Sequence, residues 1–241
     1  MYEKKITLSI LLLVHNEGKT ISNEIKKIQK NIIQKIKEVE FIITQDGSND
    51  DSDKIIKSLK KKNKIRYYSF KKKLGVHNAL LFSLKKARGE HIFFLDSGNK
   101  FFIKDFFKLY KIRDKYDFVS GYRVNRQDQF YRILLTYLFN FFLKFFTKSK
   151  FNDLDSGFKL FKKKPIKKCI SLKKINSHFF MSELCLKALY MNYSLKEIKI
   201  SYFQRKSKSR ATSLKKIPGM ILSFLVNFYK LKITLNAIKN K

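Results

Sequence analysis

The chain has 241 residues, 44% apolar and 15% aromatic, which excludes a disordered polypeptide and suits one large domain with a proper core. Its 54 Lys+Arg against 19 Asp+Glu give a formal charge of +35, a surface that attracts nucleic acid, anionic lipid or phosphorylated substrates. The two cysteines, Cys169 and Cys185, form no disulfide framework or metal cluster and fit a reducing compartment.

Residues 6–14 (ITLSILLLV) are an apolar run of strand length. Two lysines precede it, as in a signal peptide, but His15-Asn16-Glu17 follows at once without a small-residue cleavage site, so a strand is expected. Apolar runs at 39–44, 65–70 and 91–95 are read the same way. Between them, 19–37, 51–62 and 76–88 carry helical spacing with lysine-rich outer faces. Asp50 or Asp51 is expected to cap the second helix, and Gly75 to turn the chain into the third. This alternation predicts an α/β fold, a mostly parallel sheet flanked by helices on both faces. Such sheets bind ligands beyond the carboxyl ends of their strands. His15-Asn16-Glu17, Asp46-Gly47-Ser48 and Asp96-Ser97-Gly98 all fall there. Each cluster alone is explained by turn chemistry or helix capping. Three of them at one crevice point to a site.

The second half is less regular. A short strand is expected at 117–121, ending in Gly121, then a long aromatic helix at 130–146 and a turn-and-strand segment, DLDSGFKLF, at 153–161. A helix near 179–191, a strand at 195–203, a basic stretch from Arg205 to Lys216 and an apolar helix at 217–236 complete the chain. Pro165 and Pro218 are read as element boundaries. The expected organisation is one domain over 1–212, with a donor half at 1–100 and an acceptor half at 101–212, followed by a helix within 213–241. No stretch reaches the ~18 uninterrupted apolar residues of a spanning helix. Arg132, Lys144 and Lys148 punctuate the aromatic run, and Lys215, Lys216, Lys230 and Lys232 flank the last helix. Both helices suit a membrane interface, with cationic side chains reaching headgroups. Plain core packing is the other reading.

LLLVHNEGKTI, ITQDGSNDDS and KLGVHNALLFSLKKARGEHIFFLDSGNKF resemble the nucleotide-sugar domain of family 2 glycosyltransferases. GYR at 121–123, Arg132, NDLDSGFKLFKK at 152–163 and FFMSELCLKALYMNYSLKEIKISYFQRKSKS at 179–209 are similar to its dolichol-phosphate mannosyltransferase branch. The resemblance implies a Rossmann-like GT-A fold and an inverting transfer from a nucleoside-diphosphate sugar to a polyprenyl phosphate. It implies that Glu17 and Asp46, with Asn16 and Ser48 beside them, hold the nucleotide, Asp46 at the base. Asp96 matches the first acid of an Asp-x-Asp motif that meets the diphosphate through Mg²⁺ or Mn²⁺. Arg123 and Arg132 match arginines that hold the acceptor phosphate, while Asp153, Gly157 and Arg205 line the acceptor side. Several positions depart from the pattern. Gln45 stands where a first aspartate is usual, Gly98 replaces the second acid, and Lys100 stands where glutamine is frequent. Lys100 is therefore expected to supply cationic charge at the leaving group, and metal dependence to be weak.

The chemistry is consistent with this. Charge grows on the departing diphosphate and must be stabilised. A hydroxyl acceptor needs a general base, for which Asp153, Asp155 and Glu183 are the second-half candidates. A phosphate acceptor is already anionic and needs cations to place it, a task that suits arginine. The expected partners are thus a nucleoside-diphosphate sugar, a polyprenyl phosphate or other lipid-linked acceptor, and an anionic membrane met peripherally from the cytoplasm. A lipid-linked or cell-envelope glycan hydroxyl is the alternative acceptor. An inactive scaffold, motivated by Gly98, is an alternative of another class. A nucleic-acid binder is disfavoured, because the phenylalanines crowd into apolar runs rather than interleaving with basic residues.

Overall fold

The computed structural model of the chain describes residues 6–124, 130–147, 150–172, 180–203, 229–233 and 235–237. Seven strands form one sheet: β1 Leu8–Val14, β2 Val39–Asp46, β3 Ile65–Phe70, β4 His91–Asp96, β5 Phe118–Val124, β6 Phe158–Lys162 and β7 Leu195–Ser201. Their order is β3-β2-β1-β4-β6-β5-β7. β6 alone runs antiparallel to its neighbours, β4 and β5. The expected mostly parallel sheet is therefore present, with one reversed strand between β4 and β5.

Helices α1 Ile21–Asn31, α2 Ser52–Lys60, α3 Val76–Lys86, α4 Phe106–Tyr110, α5 Phe130–Thr147, α6 Lys163–Ser171 and α7 Phe180–Tyr190 complete the described elements. β1 is buried throughout and β4 from Ile92 to Leu95, both largely apolar because helices cover both of their faces. On one face, Ile21, Ile25, Ile28, Ile56 and Phe106 pack on Ile10, Ile43, Phe93 and Phe158. On the other, Leu80, Leu84, Ile166, Leu184 and Leu143 pack on Leu11, Ile42 and Phe94. Leu231 and Leu235 join this second cluster, so the described part of the last helix is packed onto the domain core and is not a detached appendage.

Some elements depart from their expected bounds. The first helix ends at Asn31, and the chain reaches β2 through a short 3-10 turn at Ile33–Lys35 and a positive φ at Glu38. β5 runs on to Val124, so Arg123 sits within a strand. Pro165 lies inside the first turn of α6, where proline is tolerated, and marks no break. The expected boundary at 212, the basic stretch and all of 217–228 lie outside the described residues.

Candidate active site

Parallel register sets the ends of β1, β2 and β4 side by side: Val14 pairs with Gln45, and Leu13 with Asp96. The first two loops bolt each other together. The Asn16 N–H donates to Ser48 Oγ (2.9 Å), and the Asn49 N–H to Asn16 Oδ1 (2.7 Å). The Glu17 N–H donates to Ser52 Oγ (2.7 Å), and the Gly18 N–H to Asp50 Oδ2 (2.9 Å). Asn16 is held at φ 55°, a left-handed conformation that asparagine tolerates. Asn16 and Ser48 thus hold the first two strand-end loops to each other through the chain's own backbone. Glu17 is buried, and its Oε2 accepts the Thr20 hydroxyl (2.9 Å) at the start of α1.

Asp46 is similarly engaged. Its Oδ1 accepts the Leu74 N–H and its Oδ2 the Gly75 N–H (3.0 Å), tying β2 to the loop that enters α3. Beside it Gln45 is 3% exposed, and its Oε1 has no hydrogen-bond partner. A buried acceptor without a donor is costly, so the Gln45 amide is one that a water or another N–H group would satisfy. His15 Nδ1 lies 2.7 Å from the Asp46 carbonyl oxygen, which requires that nitrogen to carry the proton.

At the end of β4, the Asp96 N–H donates to the Gly157 carbonyl (2.8 Å), the last rung of the β4–β6 ladder. Beyond Asp96 the chain turns through Gly98 (φ 109°) and Asn99 (φ 53°). Both amides donate to one side chain, the fully buried Glu24 of α1: Gly98 N–H to Oε2 (3.0 Å) and Asn99 N–H to Oε1 (3.2 Å). Burial raises the Glu24 carboxyl to about 7, against the opposing pull of the two amides and of Lys100. Lys27, one turn along α1, donates from Nζ to Asn99 Oδ1 (2.9 Å). Lys100 is half-buried, its Nζ 5.9 Å from the centre of the Phe101 ring.

On the acceptor side Arg123 and Asp153 form a forked pair, Nε to Oδ2 and Nη2 to Oδ1 at 2.7 Å each. The Arg123 N–H adds a third bond to Oδ2 (3.0 Å). Glu197 of β7 accepts the N–H groups of Asn152 (2.7 Å) and Asp153 (2.6 Å), pinning the loop before β6. Burial would raise Asp153, but the guanidinium outweighs it and holds the carboxyl below its ordinary value. Asp153 is therefore no general base, and Arg123 has only its Nη1 edge and one Nη2 hydrogen left for a phosphate. Asp155 differs. Burial lifts it to about 7, with Arg123 and Lys159 opposing and Asp153 and Asp96 adding to the rise. Lys159 is itself fully buried, and its Nζ donates to Ser120 Oγ. Glu183, the remaining candidate base, is 2% exposed and bonded to Lys187 Nζ (2.5 Å), far from any free role. Arg132 falls on α5 with its side chain outside the described residues, and Arg205 lies outside them altogether.

The structure brings Asn16, Glu17, Asp46, Ser48, Asp96 and Lys100 to adjoining strand ends, with Gly157 against Asp96. Gln45, noted as a departure from the family pattern, and Asp155, one of the three candidate bases, join them, and so does Glu24, which was not singled out. For Glu24 a signal exists: Ile21, Ile25 and Ile28 define the buried stripe of α1, and Glu24 lies on it by helical spacing. Asp155 is separated from Asp153 and Glu183 only by the partners each meets after folding.

A doubly covered, mostly parallel sheet with acidic and amide groups gathered at three strand ends is the GT-A form of nucleotide-sugar fold. Solved structures of glucosyl-3-phosphoglycerate synthase from Mycobacterium tuberculosis share it. The complex with Mn²⁺, UDP-glucose and phosphoglyceric acid superposes with a TM-score of 0.70 at 15% identity, covering 94% of this chain and 80% of that one. The complex with Mg²⁺ and UDP gives 0.68 at 16% identity, covering 92% and 79%. The chain belongs to glycosyl transferase family 2, whose model matches residues 9–170. It is 31% identical over 161 residues to CsbB of Bacillus subtilis (strain 168), which bears the name of a glycosyltransferase, covering 64% of this chain and 46% of that protein. It is 35% identical over 95 residues to an uncharacterized glycosyltransferase of Rickettsia bellii (strain RML369-C), covering 39% and 13%. The chain thus spans less than half the length of these curated relatives.

Proposed function

We propose that the chain is an inverting glycosyltransferase of the dolichol-phosphate mannosyltransferase-like branch, moving a sugar from a nucleoside-diphosphate sugar to a polyprenyl phosphate. It would work peripherally at the cytoplasmic face of an anionic membrane. The observation that carries the lipid acceptor is the outer face of α5. Leu134, Tyr137, Leu138, Phe141 and Phe145 are exposed there at helical spacing, Tyr137 by 69% and Phe145 by 71%. Such a stripe, on a chain of charge +35, matches an interfacial helix. Lys144 on the same helix donates from Nζ to Asn152 Oδ1 (2.6 Å), joining this face to the acceptor-side loop. No described helix is long and apolar enough to cross a membrane. Cys169 and Cys185 are free thiols, which suits a cytoplasmic site.

In this reading Gln45, His15 and Glu17 line the nucleotide end, and Asp96 with Lys100 faces the diphosphate. Asp96 suits a divalent ion, since carboxylate oxygen is the hard donor that Mg²⁺ and Mn²⁺ take. Among the described residues no group of three or more His, Cys, Asp or Glu offers a fuller site, so the donor's phosphates would complete the shell. A bound ion would supply charge neutralisation at the leaving diphosphate, and Lys100 adds a fixed cation next to it. Arg123, its guanidinium oriented by the Asp153 carboxylate, would hold the acceptor phosphate through Nη1.

Asp155 favours a second reading. A half-buried carboxyl near 7 is tuned for general-base work, which a hydroxyl acceptor requires and a phosphate does not. The test offers UDP- and GDP-sugars with a polyprenyl phosphate in anionic vesicles, against a soluble glycan hydroxyl, and measures nucleoside diphosphate released. Turnover with the phosphate alone supports the first reading, and turnover with the hydroxyl alone replaces it. Loss of vesicle binding in a Tyr137→Ser/Phe141→Ser/Phe145→Ser variant is expected. Equal binding would remove the membrane from the proposal.

A further inference from the structure

Glu24 belongs to none of the strand-end clusters, yet its two carboxylate oxygens take the two backbone amides that follow Asp96-Ser97. The contact spans more than 70 positions of sequence and is made in full burial, so it is no local cap. A carboxylate in the first turn of α1 would gain from the helix dipole while exposed to water. Full burial makes the ionised form costly to a degree the dipole does not offset, since the carboxyl is raised to about 7, so helix stability does not account for its place. Lys27, three residues on and on the same side of α1, grips the same loop through the Asn99 side chain.

We propose that Glu24 is the positioning residue for the leaving-group loop, fixing through the Gly98 and Asn99 amides where Asp96 and Lys100 stand against the donor diphosphate. The inference rests on the nucleotide-sugar reading above. Two successive positive φ values, at Gly98 and Asn99, are a conformation that needs an anchor from outside the loop. At φ 109° residue 98 has to be glycine, because a side chain there is strained. The missing second acid and the Glu24 clamp are therefore one arrangement. With residue 98 committed to glycine, the loop brings a single carboxylate to the phosphates and is held rigid from α1 instead. Both amides point at Glu24, so they are spent inside the protein and are not offered to a phosphate. Peptide planarity leaves the Ser97 and Gly98 carbonyls on the opposite side.

The experiment compares the wild type with Glu24→Gln, in which one oxygen can still accept an amide while the nitrogen opposes the other. Three quantities are read: hydrogen exchange of the peptide covering 97–100, affinity for UDP and for GDP with Mn²⁺, and the melting temperature at pH 8. The expected result is faster exchange confined to 97–100, nucleotide affinity lower by about tenfold (~1.4 kcal/mol), and a melting temperature that does not fall. Glu24→Asp, able to reach one amide with a full carboxylate, should recover part of the affinity. Unchanged nucleotide affinity in Glu24→Gln, or a lowered melting temperature with exchange faster throughout β4, overturns the inference alone. A wild type that binds neither nucleotide overturns the functional reading and the inference with it.

Discussion

The carboxylate of Asp96 occupies the space where any residue but glycine at 157 would carry its side chain. A Cβ built on Gly157 would stand 2.0 Å from Asp96 Oδ2 and 2.2 Å from its carboxyl carbon. Asp96 at the end of β4 and Gly157 at the start of β6 thus share one packing position. Gly157→Ala is expected to push Asp96 off its place, lowering turnover at least tenfold. Its stability cost should be about 1–3 kcal/mol, typical of overpacking. Nucleoside diphosphate release and urea unfolding of the same preparation measure the two effects.

The state of Asp155 separates the two acceptor readings by pH. Its carboxyl titrates near 7, so the ionised base is scarce at pH 6 and dominant at pH 8. Turnover with a hydroxyl acceptor should rise through this interval and lose the rise in Asp155→Asn. With a polyprenyl phosphate the Asp155 contribution should be flat. Initial rates at saturating donor, taken over pH 5.5–8.5, check this.

Arg123 and Asp153 form a pair with side-chain exposures of 14% and 3%. Removing one partner leaves an uncompensated buried charge, so Arg123→Met or Asp153→Leu alone should cost about 3–5 kcal/mol. The double variant should recover much of that stability, because the desolvation of both charges goes with them. Urea denaturation of the four proteins forms the cycle. Near-additive losses would mean that the pair is not coupled as the geometry requires.

Glu24 sets a pH dependence of stability. Its folded value, about 7, lies above the ordinary 4.5, so the fold prefers the protonated form. Its contribution is complete below pH 4.5 and is lost as pH rises to 7, reaching a penalty of about 3 kcal/mol at alkaline pH. Glu24→Gln should flatten this component, seen by comparing unfolding at pH 5 and pH 8 with the wild type.

Local patterns in the chain were enough to place the strands that matter. Apolar runs at 10–14 and 92–95, each stopping on polar residues, are of strand length, their alternation with helical segments makes them parallel strands, and parallel strands present their polar ends to one side. The strand-end clusters were legible for that reason, and so was Gly75 as a turn, whereas the sequence left α5 open between a core helix and an exposed one. What was not legible depends on register between distant segments. The reversal of β6 puts Gly157 against Asp96. The extension of β5 to Val124 sets Arg123 beside Asp153. No local pattern encodes either distance. The same holds for the charges. Sequence shows that Asp153 and Asp155 are carboxylates, but ionisation depends on which partner each meets after folding. Asp153 meets a guanidinium, and Asp155 a half-buried place among opposing charges. Residue type and period determined the scaffold and its open end. Tertiary contact alone decided which acids are committed to structure and which are left for chemistry, because desolvation and pairing are properties of the packed chain.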